Sequence, residues 1–493
     1  MLARVLVPCL SRMVLSLIIL RYFTISLSAD VTMPSVFGDH MVLQQGVTLP
    51  VWGEASPGER VSVMIGDRYE ETNTDFRGHW RVTFRPIPKS TTSFTMVING
   101  NNRLEFRDVL AGDVWICAGE GNMEFPCSQS ATGREMVESV SDPGLRLFIA
   151  PPSSGVAGME QAGKWLVCNP GNAAGFSAIG YFFGRDLRSS QKIPIGIIQI
   201  TEQQSPIRSW ISKAGLEKAP SVPSISKGCP NPGAIFGSMI APIIPYAMTG
   251  VIWYQGESDE GLPALQYRRL FPRLITDWRE RWKQGPFPFF FVSLAGFGSE
   301  EGNPVEPFLG NDGLPRRSWP WIREGASAAL RLPATGMAVA TDLGVPDDRY
   351  PADKLDVGRR LALLARHRVY GEAVTDEGPV FRSVQPEGKR IRVLFDSSGA
   401  GLTLGASPWQ PEGQPLLRGT TPKGFAIAGK NGKWFPASGM IEGESLLLWS
   451  ESVPDPLYVR YGWRGFPLGN VYNKLGLPAP PFRSDTEQPI SGR

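Results

Sequence analysis

The stretch DVWICAGEGNMEFP, residues 113–126, decides how the rest of the chain is read. Val114 to Cys117 is a continuous apolar run, the pattern of a strand buried on both faces. At Ala118-Gly119 the run breaks into a short polar segment, Glu120-Gly121-Asn122, before Met123 restores apolar character. That is the outline of a tight strand-to-loop turn presenting a reactive group. The position where a hydroxyl is expected is Gly121, which has no side chain.

Four runs of the same kind follow: IGIIQI (195–200), VIWY (251–254), FFFVSL (289–294) and MAVA (337–340). Helical periodicity lies among them. In 266–283, Leu270, Leu274 and Trp278 share a face, flanked by Ile275 and Trp282, while Arg268, Arg269, Asp277 and Glu280 face away. In 354–368, Val357, Leu361 and Leu364 repeat the pattern. Strands alternating with helices predict an α/β fold over 109–385, a doubly wound and mainly parallel sheet. Before it, residues 30–108 show the period-two pattern of an N-terminal β-sandwich, as in HWRVTF and TSFTMVING. After it, 386–470 is β-rich again, and 471–493 reads as a tail with little regular structure.

The chain has 493 residues, is 42% hydrophobic and carries a net charge of +3, enough apolar content for several cores. So small a charge argues against nucleic acid or an anionic membrane surface as partner. Arg4 and Arg12 precede the apolar run Met13–Leu20, and Ser26, Ser28 and Ala29 follow, the pattern of a signal peptide over 1–29 and of an exported (secreted or periplasmic) product. No later segment approaches the length needed to span a bilayer. Cys9 would leave with the signal. Cys117, Cys127, Cys168 and Cys229 match neither metal-ligand nor CxxC spacing and read as buried thiols or structural disulfides. No metal or cofactor is expected.

In open α/β sheets, ligands bind beyond the carboxyl ends of the strands. Four strand ends here carry polar segments, three of them with glycine: AGEGNMEFP, TEQQSPIRSW, QGESD and TDLGVPDDRYP. Together they predict one composite site, with the carboxylates Glu120, Glu202, Glu257, Asp347 and Asp348 as candidates to line it.

At this point the chain resembles a known family. FGDHMVLQQGVTLPVWGEASPGERV (37–61), DVWICAGEGNMEFP, FGSMIAPIIPYAMTGVIWYQGES (236–258), GFAIAGKNGKWFPA (424–437) and VRYGWRGFPLGNVYNKLGLPAPPFRSD (459–485) are similar to the sialate O-acetylesterase family. The likeness runs from about residue 31 to 485. It implies an SGNH-type hydrolase domain flanked by β-sandwich accessory regions, and metal-free removal of O-acetyl groups from sialic acids and other sugars. It also implies roles position by position. The family has Gly-Gln-Ser-Asn-Met after the first strand, its serine being the nucleophile; here Gly119-Glu120-Gly121-Asn122-Met123 puts Gly121 there. The family has Asp-Ile-His-Pro with histidine as base; here Asp348-Arg349-Tyr350-Pro351 keeps the aspartate and puts Tyr350 at the base position. A Gly-Gly-Thr turn that helps stabilise the oxyanion is replaced by Glu202, Gln203 and Gln204, whereas Trp253 to Ser258 stands as the family has it.

Other residues offer little substitute chemistry. His40 and His79 lie in the N-terminal β region and His367 ends a helix, where it is read as a surface charge. Ser258 reads as a structural hydrogen-bonding group and Cys117 as a buried, inert thiol. Tyr350, with an ordinary pKa of about 10, is a poor base near neutral pH. Paired carboxylates can hydrolyse glycosides at the right separation. On the simpler view, Glu257 and Asp348 are inherited supporting groups, and Glu120 and Glu202 are drift or new ligand contacts. The expectation is therefore of vestigial catalytic positions at Gly121, Tyr350 and Asp348. Ligand contacts are expected from Glu120, Asn122, Glu202, Gln203, Gln255 and Glu257, with Trp210, Trp253 and Tyr254 as sugar-stacking or core aromatics. Three readings stay open: an inactive or strongly impaired esterase that still binds an acetylated sugar or glycan, an active hydrolase with a carboxylate-based site, and a structural or interaction protein using its β-sandwiches.

Overall fold

The five apolar runs are strands of one sheet. A computed structural model describes residues 30–152, 162–219, 232–261, 263–298, 305, 318–396, 401–406 and 418–486. The expected signal peptide, Cys229 and the last seven residues lie outside them. The sheet strands are β1 (Arg103–Gly119), β2 (Asp142–Ile149), β3 (Trp165–Cys168), β4 (Ile195–Thr201), β5 (Gly250–Tyr254), β6 (Phe289–Ser293) and β7 (Thr335–Val339). Their order is β7-β6-β5-β1-β4-β2-β3, with every pair parallel except β2–β3. The fold is thus a mainly parallel α/β sheet with further antiparallel sheets. The boundary expected at 108/109 falls inside β1.

Burial follows the sequence pattern. Val114 to Ala118 and the whole of β5 and β6 are inaccessible to water. The helices are α1 (Gly121–Glu124), α2 (Ala178–Gln191), α3 (Ala264–Trp282), α4 (Trp319–Ser327) and α5 (Leu355–Arg368). On α3 the apolar face is buried as predicted, but Asp277, expected to face solvent, is buried too. Its carboxylate accepts from Ser212 N at 2.9 Å and Ser212 Oγ at 2.8 Å, so it satisfies the turn that opens a neighbouring helical segment. None of the described helices is long and apolar enough to cross a membrane.

Two compact units are distinguished. In the smaller one, which includes residues 52–82 and 96–105, Arg60–Ile65 pairs antiparallel with Arg68–Asn73 on one side and with residues 96–99 on the other. Val61, Val63, Trp80 and Ile98 are buried there. The larger unit holds the central sheet and the C-terminal region. The latter has two four-stranded antiparallel sheets, Val380–Glu387 with Arg390–Asp396, Ser445–Trp449 and Ser438–Glu442, and Trp434–Pro436 with Phe425–Ala428, Tyr458–Tyr461 and Phe482–Arg483. Ile391, Val393, Leu446 and Leu448 from one sheet meet Ile427 and Val459 from the other. The expected tail is part of this fold: Val471–Asn473 pairs with Leu402–Leu404, and Phe482–Arg483 with Tyr461 and Arg460. Strands of two or three residues leave no periodicity for a sequence reading to find.

Arg323 on α4 ties the sheet to this C-terminal region. It is 2% exposed, and its guanidinium donates to the carbonyls of Leu294 (2.8 Å), Ala295 (2.7 Å), Arg464 (2.8 Å) and Gly465 (2.8 Å). Arg323→Met keeps the volume and removes every donor. It is expected to cost at least about 3 kcal/mol, because four enclosed carbonyls lose their charged partner. A thermal-unfolding midpoint equal to that of the parent chain would contradict this role.

Candidate active site

β1 lies where strand order reverses, with β4 on one side and β5 on the other. Crevices form beyond the carboxyl ends of strands at such a point. Thr201, Gly119 and Tyr254 are in register there. Gly119 has φ +148°, and a Cβ at that position would lie 2.0 Å from Tyr254 O. Only glycine lets β1 end so close to β5. The chain then turns through Glu120 into α1, whose first residue is Gly121.

Beneath this turn lies a closed polar network. Glu120 is 0% exposed. Its Oε1 accepts from Gly256 N (3.0 Å), Ser258 N (3.1 Å) and Gln255 Nε2 (3.2 Å), and its Oε2 accepts from the Ser258 hydroxyl. Gln255 also donates to Ser205 O (3.0 Å) and Asp259 Oδ2 (2.7 Å), while the Tyr267 hydroxyl donates to Gln255 Oε1 (3.0 Å). Asn122 donates to Glu257 Oε1 and to Arg349 O (2.9 Å), and accepts from Lys354 Nζ (2.6 Å). Glu120, Asn122, Gln255 and Glu257, expected as ligand contacts, are therefore buried and bonded to the protein. Ser258 is a partner of Glu120, in keeping with a structural hydroxyl. Lys354 was not singled out from the sequence. A lysine just before a helix reads as a surface charge, yet this one is 1% exposed, with Nζ 4.7 Å from the Phe125 ring centroid.

Burial governs the network's ionisation. It raises Glu257 well above the usual carboxylate range, and the nearby Glu120 charge adds to the effect. Burial likewise raises Asp259 to about 7, against the bonds it accepts from Gln255 and Ile207 N.

Over the network opens a cleft of about 440 Å³. Gly121, Glu124, Phe125, Gln129, Gln203 and Tyr350 are among its walls. The decisive geometry is between the first and last of these. A Cβ on Gly121 would lie 2.4 Å from Tyr350 Cε1, 2.9 Å from Cζ and 3.1 Å from the hydroxyl. The tyrosine ring stands where any side chain at 121 would begin. Tyr350 N donates to Asp348 Oδ1 at 2.8 Å, so the exposed Asp348 holds the turn that delivers the ring. Burial, then the charges of Glu257 and Glu120, raise the Tyr350 phenol above its ordinary value. Glu202 is half-buried, Gln203 and Gln204 are exposed, and Gln204 has φ +52°. Asp347 is exposed and is not among the residues found on the cleft walls. Glu124 was missed in the sequence because it follows an apolar residue within MEFP. It lines the cleft, and burial and then the Glu202 charge raise its pKa, against a hydrogen bond from Gln203.

The remaining candidates lie elsewhere. His40 Nδ1 is 2.7 Å from Asp108 Oδ2, His79 is exposed on the strand His79–Phe84, and His367 is exposed in the last turn of α5. Trp210, Trp253 and Tyr254 are at most 1% exposed, and the first two meet edge to face at 5.2 Å. They are core, not sugar platforms. Cys117, Cys127 and Cys168 are buried free thiols, and burial pushes Cys117 up to about 12, far from reactive. Among the described residues no group of three or more His, Cys, Asp or Glu is placed to hold a metal ion.

Residues 111–362 match the family described as carbohydrate esterase, sialic acid-specific acetylesterase. The sialate O-acetylesterases of Pongo abelii and Homo sapiens are each 30% identical over 499 residues, covering 91% of this chain and 91% of theirs. The chain belongs to the sialate O-acetylesterase family. A crystal structure of a carbohydrate acetylesterase from Xanthomonas citri is similar over 93% of this chain and 100% of its own, with TM-score 0.81 and 34% identity. Within this sialate O-acetylesterase-family fold, the cleft beside Gly121 occupies the carboxyl end of the central strand.

Asp259 supplies a test of the buried network. An unfolded aspartate titrates near 3.9, well below about 7 in the folded chain. The folded state therefore holds the extra proton between these values. This adds stability that is fully present below pH 4 and is lost as pH rises through 7. The melting temperature of the parent chain should fall from pH 5 to pH 8, and Asp259→Asn should flatten that fall. Parallel curves for the two would show that Asp259 is not enclosed as described.

Proposed function

We propose that this chain uses the esterase site of its family to bind a sugar, O-acetylated or plain, and is inactive or strongly impaired as an esterase. The observation that carries this reading is the Tyr350 ring filling the space that a side chain at residue 121 needs. Acyl transfer requires a nucleophile activated by a neighbouring base. Gly121 offers no nucleophile, and a phenol whose pKa is raised stays protonated near neutral pH and cannot take up the hydroxyl proton. All three histidines of the chain lie away from the cleft walls. Loss of nucleophile or base alone costs about 10⁶ in turnover in a serine hydrolase. The carboxylate-based alternative is weakened because Glu120 and Glu257 are enclosed, leaving Glu124 as the one carboxylate on the described cleft walls. The basic residues Arg4 and Arg12 ahead of Met13–Leu20 support export, placing the site where free or surface glycans are met.

Hydrolysis of an aryl acetate by the parent chain should not exceed the buffer rate, while millimolar acetylated or plain sugars should raise its melting temperature. Gly121→Ser alone should stay inactive, because the new Cβ collides with the ring and no base takes the hydroxyl proton. Gly121→Ser combined with Tyr350→His removes both obstacles and should show measurable turnover. Esterase activity in the parent chain or in the single variant would sink the reading.

A further inference from the structure

We propose that the Tyr350 cleft selects uncharged sugars over the sialate anion, with Glu124 and Glu202 as the selecting groups and Tyr350 and Phe125 as its aromatic surface. This rests on the reading that the cleft binds a sugar. A volume of about 440 Å³ suits a ligand of one or two sugar rings.

The charge on the walls decides the class. Among the described residues that line the cleft, the one charged side chain is Glu124. Glu202 lies close enough for its charge to act on Glu124. None of the described lining residues is a lysine, arginine or histidine. The cations nearby are turned to other work. Lys354 sits behind Phe125 and donates to Asn122. Arg349 pairs with Glu260 at 3.0 Å and donates to Glu257 O at 3.2 Å. An incoming carboxylate would thus meet one half-buried carboxylate, with a second beside it, and no cation among the described walls. Near a protein surface such a pair at about 6 Å is repelled strongly enough to weaken binding roughly tenfold or more.

Hydrogen-bonding capacity points the same way. Against a wall carboxylate such as Glu124, a ligand hydroxyl can donate a hydrogen bond and an ionised ligand carboxylate cannot. The Gln203 and Gln129 amides on the walls can give or take, and so serve a polyol without demanding charge. Tyr350 and Phe125, each half-buried, add apolar surface for the C–H face of a sugar ring.

The test compares a sugar acid with its uncharged ester and with a neutral sugar. The full chain is titrated at pH 7.5 and low salt with N-acetylneuraminate, its carboxyl methyl ester, and N-acetylglucosamine. The ester and N-acetylglucosamine should bind, and the free acid at least tenfold more weakly than its ester. In Glu124→Gln/Glu202→Gln, checked for an unchanged melting profile, the gap should shrink below threefold. Tyr350→Ala should weaken every ligand while keeping the gap. If the acid binds the parent chain as tightly as its ester, the selectivity is overturned while sugar binding stands. If none of the three binds, the binding reading falls and the selectivity with it.

Discussion

A buried carboxylate with no cationic partner among the described residues holds the two central strand ends together. Glu120 leaves the end of β1 and accepts four hydrogen bonds from the segment that follows β5, two from backbone amides and two from side chains. Hydrogen bonds to an ionised acceptor are roughly twice as strong as neutral ones, and in an enclosed space their loss is correspondingly costly. Glu120 gathers these donors, while burial and then the Glu120 charge raise its neighbour Glu257 above the ordinary carboxylate range. The rest of the network is arranged around that division: Gln255 relays to Asp259 and Tyr267, and Asn122 relays to Lys354. None of this requires a nucleophile above it. The frame of the site is thus self-supporting, whatever residues stand at positions 121 and 350 above it.

The contact between Gly121 and Tyr350 belongs to a different layer, and it couples two positions 229 apart in the chain. Neither residue is a free choice once the other is present. A ring at 350 in this rotamer demands a glycine at 121, and a glycine at 121 without the ring would leave a gap in the wall. Positions in direct contact do not contribute additively. Two departures from the family motif, counted separately in the sequence, are physically one packing solution.

Much of the scaffold is visible in the sequence because a continuous apolar run of four to six residues, bounded by glycine and polar turns, is too short for a buried helix and suits a strand covered on both faces. All five such runs are sheet strands. β2 and β3 escape that pattern, since Asp142–Ile149 mixes charge and proline into its first half and Trp165–Cys168 has only four residues. The site was legible by location but not by direction. Glu120, Asn122, Gln255 and Glu257 stand at strand ends, as ligand contacts do, yet they point inward and satisfy one another. Whether a polar residue in a turn faces the cleft or the core depends on partners far away in sequence, such as Lys354, which lies 232 residues from Asn122. The same holds for Trp253: an aromatic beside a site and an aromatic in a core share one letter, and here Trp210, Trp278 and Phe271 surround it. Glu124 shows the converse, a residue in an apolar context that the turn of α1 brings to the cleft wall.

The tyrosine beside Gly121 also bears on the history of the chain. A serine regained at 121 would meet the ring before it met a base, and a histidine regained at 350 would face a residue with nothing to deprotonate. The first of these steps is sterically opposed. A lineage that carries this pair therefore has no single-step route to a serine and a histidine at these two positions: the ring acts as a ratchet on residue 121.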